Sequence, residues 1–341
     1  MLDPRARARF ARNRAALIGG GIVVALILFA VLGPLFSSID PNASDFEHGL
    51  SPERGPIGPS SAHLLGTDRL FRDELCRLAH GARLSILIGI AATAIASIIG
   101  AAVGIVAGYY EGSDGVRVPW VVVAALICSV LAVIYEHPGW AVAILATGAM
   151  SWATAMRARS TALLDGPQMN GDVALMRLVD VGLSFPFLLL VMALGAALEK
   201  TTATSILVTL GLTGWLGAAR VVRAKTMQIR NLDFIVAARA LGQSTIRILW
   251  KHVLPNTSGT LIVIATISVA QMIIAESVLS YLGIGISPPT PTWGHMLFEG
   301  QDYYMVAPWL FIAPACAILL AVLGFNMLGE GLRDAFDPKE D

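Results

Sequence analysis

The feature that most constrains this chain is a series of apolar stretches, each long enough to cross a bilayer, separated by polar segments. They cover residues 15 to about 36, 82 to about 108, 175 to about 198, 204 to 222, 258 to about 282, and 308 to about 328. At about 1.5 Å per residue, such runs match a hydrocarbon layer of about 30 Å. Lipid offers no hydrogen bonds, so runs of this length must pair their own backbone groups and cross as helices. Of the 341 residues, 55% are hydrophobic and 14% are charged; a soluble domain carries about 25% charge. The expected fold class is therefore an all-α polytopic membrane protein. The first run exceeds the apolar core of a signal peptide, about 7–15 residues, and reads as a retained helix.

Charge sets the orientation. The net charge of zero hides a strong asymmetry: Arg5, Arg7, Arg9, Arg12 and Arg14 precede the first run. Arg220, Arg223, Lys225, Arg230, Arg239, Arg247 and Lys251 lie in or beside residues 223–256, and no Lys or Arg occurs between Thr257 and Leu332. Basic segments stay inside. Residues 1–38 then form a cytoplasmic basic N-terminus with the first span, and 39–81 an extracytoplasmic segment. Residues 82–330 form the main transmembrane domain and 331–341 a cytoplasmic tail. Residues 283–307 lie outside; Pro288, Pro289 and Pro291 forbid a regular helix there. Trp293, Tyr303, Tyr304 and Trp309 are candidates for an interfacial aromatic belt.

Residues 114–170 hold two more apolar runs, about 118–134 and 140–156, separated by a sharp turn at 135–139. Arg117 precedes the pair and Arg157 and Arg159 follow it, so both ends point to the cytoplasm and the pair reads as an inserted hairpin. A re-entrant or interfacial pair is the alternative. The total is about eight crossings, six of them core, with both termini cytoplasmic.

The stretch 231–256, NLDFIVAARALGQSTIRILWKHVLPN, is too polar to span and too patterned for a linker. Phe234, Ala237, Ala238 and Leu241 share one helical face. Gly242 falls where a left-handed residue ends a helix, and Ser244 is a candidate N-cap. Ile246, Leu249, Trp250 and Val253 form a second stripe, and Pro255 is expected to stop it. By spacing alone this is an amphipathic helical hairpin on a membrane protein.

The same residues resemble the EAA loop of ABC-importer permeases: Ala237, Ala238, Gly242, Leu254 and Pro255 match, with Val236 in place of the leading Glu. The resemblance extends through Gly66, Thr67, Asp68, Arg72, Asp73, Leu75, Arg77, Gly81, Ala82, Arg83 and Ser85, a signature of the dipeptide, oligopeptide and nickel importer permeases. Phe71 stands where that family has Gly, and Ile86 where it has Leu. LMRLVDVGLSFPF from Leu175, the AES…LSYLG segment around Glu276, the PPTPTWGHMLFEG segment and the ending GLRDAFDP also match. The resemblance implies a type I ABC-importer permease fold and a subunit that forms a substrate path with a sister permease. Two ATP-binding subunits would drive it by alternating access, and an extracytoplasmic solute-binding protein would deliver the substrate. It implies a prokaryotic inner-membrane location. Peptides are the first substrate expectation, with nickel or another small solute as the alternative. The implied ATPase-docking residues are Asp233, Phe234, Ala237, Ala238, Leu241, Gly242, Ile246, His252, Leu254 and Pro255.

Three ionisable residues lie in or near spans: Arg177, Asp180 and Glu276. Each reads either as a gate or interhelical contact or as a side chain reaching solvent at a helix end. Counting along its run places Glu276 about 27 Å in, near the outer end. Asp73 and Arg77 stand at i,i+4 spacing and are expected to pair. Gly100 and Gly104 suit close helix packing.

Asp180 and Glu276 are each the only acid in their runs, and no HExxH occurs, so an intramembrane enzyme lacks its groups. No charged or carbonyl filter points to a channel, and a non-transporting scaffold is the remaining alternative. Cys76, Cys128 and Cys316 form neither a disulfide framework nor a metal pattern. No GxxxxGK[ST] loop is present, so ATP hydrolysis is expected on partners. No cofactor, metal or nucleic acid is expected.

Overall fold

The computed structural model describes residues 4–36, 40–49, 55–112, 116–117, 168–169, 171–196 and 202–336. Among the described residues the regular structure is helical apart from one short antiparallel pairing and an isolated bridge between Thr67 and Asp73. Helix α1 is Pro4–Arg12, α2 Arg14–Phe36 and α3 Glu74–Tyr109. Strand β1 (Val116–Arg117) pairs with β2 (Gln168–Met169). Then follow α4 Gly171–Ser184, α5 Phe187–Ala196, α6 Ala203–Ile229, α7 Asp233–Ala240 and α8 Thr245–Ile248. A π-helical turn, Leu249–Val253, leads into α9, Leu254–Tyr281; α10 is Trp293–Gly300 and α11 Trp309–Phe336. Helix α10 lies within 283–307, where no regular helix was expected: it begins only after Pro291, capped by Thr292, so the prolines precede it rather than interrupt it.

Among the described residues, five helices are long and apolar enough to cross a membrane: Arg14–Pro34, Glu74–Tyr109, Ala203–Ile229, Thr245–Tyr281 and Trp309–Phe336. The pair α4–α5 makes a sixth if counted as one span, but it bends by 87°. The 175–198 run, read from composition as one span, is not one straight helix. Instead the helix breaks, because Pro186 has no N–H to donate and biases Phe185 away from helical geometry. The two inserted crossings expected within 114–170 lie outside the described residues.

The chain divides into two compact units, Met1–Ile105 with Val181–Asp341, and Val106–Asp180. The first has two apolar cores. In one, Val23 and Ala30 of α2 meet Leu78, Ala82 and Ile86 of α3, Ile273 of α9, Trp293 of α10 and Phe325 of α11. In the other, Ile88 and Ala92 of α3 meet Val191 of α5, Leu210 of α6 and Met272 and Leu279 of α9. Helices α3 and α9 enter both cores and tie them together. The glycines expected to permit close packing do so. A Cβ on Gly100 would lie 2.7 Å from Ala218 Cβ, and one on Gly104 2.6 Å from Ala219 O, so α3 and α6 meet backbone to backbone. The smaller unit contains the end of α3, the β pairing and most of α4. There Arg177 and Asp180 occupy exposed positions, and Asp180 has an interaction partner.

The polar cap is the segment 55–73 packed on α10. Helix α3 begins at Glu74, earlier than the apolar run implied, because Asp73 caps it: Asp73 Oδ1 accepts from Cys76 N at 2.7 Å. The expected Asp73–Arg77 side-chain pair does not form. Asp73 Oδ2 faces His63 Nδ1 at 2.8 Å, while Arg77 Nη2 donates to Glu299 Oε2 at 2.6 Å. Asp73 is committed to its helix end, and Arg77, one turn on, points to α10. Trp293 and Trp309 do not form a belt together. Trp293 is fully buried and donates from Nε1 to Leu78 O at 3.2 Å, and Trp309 Nε1 donates to Thr67 O at 3.2 Å. Their indoles pin the cap to α3 and α11.

Candidate functional site

The hairpin follows α6. Helix α7 closes at Gly242, whose φ of +71° is the left-handed conformation the sequence called for. Gly242 N donates to Arg239 O at 2.9 Å and Gln243 N to Ala238 O at 3.1 Å. This pair of bonds is the Schellman closure, which needs a residue free to adopt positive φ. Ser244 takes the extended N-cap backbone of α8, but its side chain makes no capping bond.

Pro255 does not stop the second helix. It sits in the first turn of α9, and the chain runs helically from Thr245 to Tyr281. Proline lacks an amide hydrogen, and the π turn at Leu249–Val253 changes the bonding register just before it, so no regular bond is broken at that position. The second hairpin arm is therefore the inner end of a membrane helix rather than a separate element.

The hairpin's apolar residues divide into two sets. Ile235, Ala238, Ile248 and Val253 are buried. Leu241 is 80% exposed, Ile246 72% and Trp250 68%, with Val236 and Phe234 also exposed. Ala237 is exposed, so the expected four-residue stripe of α7 does not pack as one face. Phe234 and half-buried His252 face each other across the arms, ring centroids 6.1 Å apart. Asp233 is exposed in the first turn of α7, Leu254 is half-buried and Pro255 exposed. Exposed apolar groups of this size, ringed by Arg239, Arg247 and Lys251, are unusual on a polar segment and mark an interaction surface.

At the other end of α9, Glu276 is fully buried. Its reading as a solvated helix end fails. Ser85 Oγ of α3 donates to Oε2 at 2.9 Å, and Ser280 Oγ donates to Oε1 at 2.8 Å. Ser85 Oγ also accepts from Trp293 N at 3.4 Å. One carboxylate thus joins α3, α9 and the start of α10. Ser280 was legible as the i,i+4 neighbour of Glu276; Ser85 was not, since nothing local ties α3 to α9.

The cap holds a second buried cluster. Glu299 of α10 accepts from Arg77 at 2.6 Å and from Arg72 Nη2 at 3.1 and 3.2 Å. Asp68 pairs with Arg72 and lies 3.4 Å from Arg77 Nε. Burial opposes ionisation of Glu299, but His295, Arg77 and Arg72 outweigh it and hold the carboxyl down at about 2. Sequence reasoning found both arginines but not Glu299, which lies far along the chain. Phe71 beside them carries φ +61°, the left-handed region, at the position where the resembling family has Gly. Its ring meets Phe46 edge-on at 5.5 Å.

Together these features define a multi-pass helical membrane protein with a sealed polar cap and an unsealed apolar hairpin. Residues 167–341 match the binding-protein-dependent transport system inner membrane component family, and residues 5–52 match the N-terminal TM domain of oligopeptide transport permease C. The chain is similar to the oligopeptide transport system permease protein OppC of Bacillus subtilis, at 32% identity over 97% of this chain and 88% of that one. It is also similar to the di/tripeptide transport system permease protein DppC of Pseudomonas aeruginosa, at 34% identity over 97% and 90%. The glutathione transport system permease protein GsiD of Pectobacterium atrosepticum is 32% identical over 97% and 89%. The chain belongs to the binding-protein-dependent transport permeases, a family of inner-membrane transporter subunits and not of enzymes.

Proposed function

We propose that this chain is one of two permeases that form the path of a peptide-importing ABC transporter, with hairpin 231–256 as the seat of a partner ATPase. The observation that carries this is the exposed apolar set Leu241, Ile246 and Trp250 on a basic, otherwise polar hairpin. Such a face fits a helix-in-groove contact, in which a few large side chains fill a pocket on the partner. Peptide as substrate is supported by the names of the relatives above.

The geometry supplies a route for work. Thr245–Tyr281 is one helix, so a push on Trp250 acts on a rod that ends at Glu276, about 39 Å away. Glu276 is bonded to α3 through Ser85. Closure of two ATPases would tilt α9 and load the Glu276–Ser85 link, moving α3 and α10 with it. The π turn is the weakest part of the rod, since its bonding is the least regular. ATP would bind and react on the partners. A solute-binding protein would dock on the outer side, where segment 55–73 and α10 form the cap. Both termini lie in the cytoplasm under the positive-inside rule, with six core spans and two more in the insert.

The test is co-isolation of the full chain with its sister permease and ATPases. Wild type is expected to retain the ATPase pair, and Leu241→Asp to lose it while still inserting in the membrane. Retention of the ATPases by Leu241→Asp in wild-type amounts would remove the docking assignment.

A further inference from the structure

A cavity of about 540 Å³ lies between α6, α9 and α11, beside the base of the hairpin. Its volume is that of a small-molecule site, about 300–1,000 Å³. Two cations from different helices line it: Lys225 near the end of α6 and Arg333 in the last turn of α11. No acid is in its lining, and among the described residues neither cation has a carboxylate partner. A helix C-terminus favours a nearby cation, which accounts for Arg333. It does not account for a second cation, on another helix, converging on the same space.

The α9 wall of the cavity changes character along its length. Asn256 and Thr260 line one end, and Val263, Ile264 and Ile267 follow at helical spacing. An amide and a hydroxyl thus give way to aliphatic side chains within about 16 Å. A free anion would use the cations and leave the aliphatic half unmatched. A molecule with a phosphate head and a hydrocarbon tail matches both halves. Basic pockets between membrane helices at the cytoplasmic face take lipid headgroups of this kind.

We propose that this cavity binds an anionic phospholipid of the inner leaflet, its phosphate between Lys225 and Arg333 and an acyl chain along Val263, Ile264 and Ile267. The leaflet assignment rests on the orientation given under Proposed function; the headgroup chemistry does not. The occupant would sit where α9 leaves the hairpin and α11 ends, and would brace the base of the rod.

The full chain, purified in detergent, is titrated with phosphatidylglycerol, phosphatidylcholine or inorganic phosphate, and retained adducts are read by native mass spectrometry. Wild type is expected to retain phosphatidylglycerol over phosphatidylcholine. Lys225→Gln and Arg333→Gln are each expected to weaken retention about fivefold, the contribution of one cation near an anionic headgroup. Lys225→Arg should keep it, which separates loss of charge from loss of fold. Arg12→Gln, an exposed charge outside the cavity, should leave retention unchanged. Equal retention of the two lipids, or equal losses in Arg12→Gln and Lys225→Gln, would overturn the site. Displacement of phosphatidylglycerol by equimolar inorganic phosphate would overturn the lipid assignment in favour of a free-anion site. No ATPase enters this assay, so its failure and a failure of the hairpin to hold ATPases are separate results.

Discussion

The cap and the hairpin depart from ordinary burial in opposite directions. The cap buries charge: Arg77 is 1% exposed, Asp68 3% and Arg72 4%, all within reach of one another or of Glu299. The hairpin exposes hydrocarbon, with Leu241 80% exposed and Trp250 68%. Charges removed from water must find partners inside the same chain, and Arg72, Arg77 and Asp68 find them in one another and in Glu299. Apolar groups left in water carry no such requirement, and their presence at the surface calls for a partner from outside. The cap is therefore a finished structure and the hairpin an unfinished one. The Glu276–Ser85 link stands between them, at the far end of the helix the hairpin begins.

The largest expected effect lies in the finished half. Glu299→Ala leaves Arg72 and Arg77 buried against no carboxylate from α10 and should cost about 3–5 kcal/mol of stability. Thermal unfolding of the purified chain measures it. A loss near zero would mean that water reaches the cluster and that the cap is not sealed. Acid should have the same effect by protonation. Glu299 is held at about 2 when folded, against an ordinary carboxyl value of 4.5. A depressed pKa adds stability that is complete above the unfolded value and is lost as pH falls through the folded one. The melting temperature should therefore decline from about pH 4.5 toward 2, and the decline should shrink in Glu299→Gln.

The hairpin should behave in the opposite way. Trp250→Asp removes a large exposed side chain and should change stability by less than about 0.5 kcal/mol. Its cost should fall on the partner, at about 2 kcal/mol of binding or roughly thirtyfold in affinity for a central aromatic anchor. A variant that unfolds while still capturing ATPase would reverse the comparison.

The smallest effect is at Phe71, where the cap contains a strained backbone. The left-handed conformation costs a non-glycine residue about 1–2 kcal/mol, and the ring pair with Phe46 returns about 0.5–1.5 kcal/mol. Phe71→Gly should stay within about 1 kcal/mol of wild type. Phe71→Ala keeps the strain and loses the ring, so it should be the less stable of the two. Equal stability of the two variants would place the strain elsewhere.

What the sequence disclosed follows from how local each interaction is. The five long crossing helices among the described residues, the Gly242 closure and the Gly100–Gly104 contact depend on composition and short spacings, and these were legible. Pairings across long separations were not. Arg77 was assigned to Asp73, four residues away, because Glu299 is brought near only by the folding of α10 onto α3. Pro255 looks like a helix end by single-residue rules, which contain no π turn such as Leu249–Val253 to accommodate it. The stripes of the hairpin were visible, but not which half of each would be buried. That depends on packing against the rest of the chain, which buries Ile235 and Ile248 and leaves Leu241 and Ile246 outside.

The most direct measurement is thiol labelling at the hairpin. With the native cysteines replaced by serine, Leu241→Cys is exposed to a membrane-impermeant maleimide in inside-out vesicles, with and without the partner ATPases. Rapid labelling of the chain alone and strong protection once the ATPases are bound is the predicted result. Equal labelling in both preparations, or labelling only from the outer face of the membrane, would contradict it.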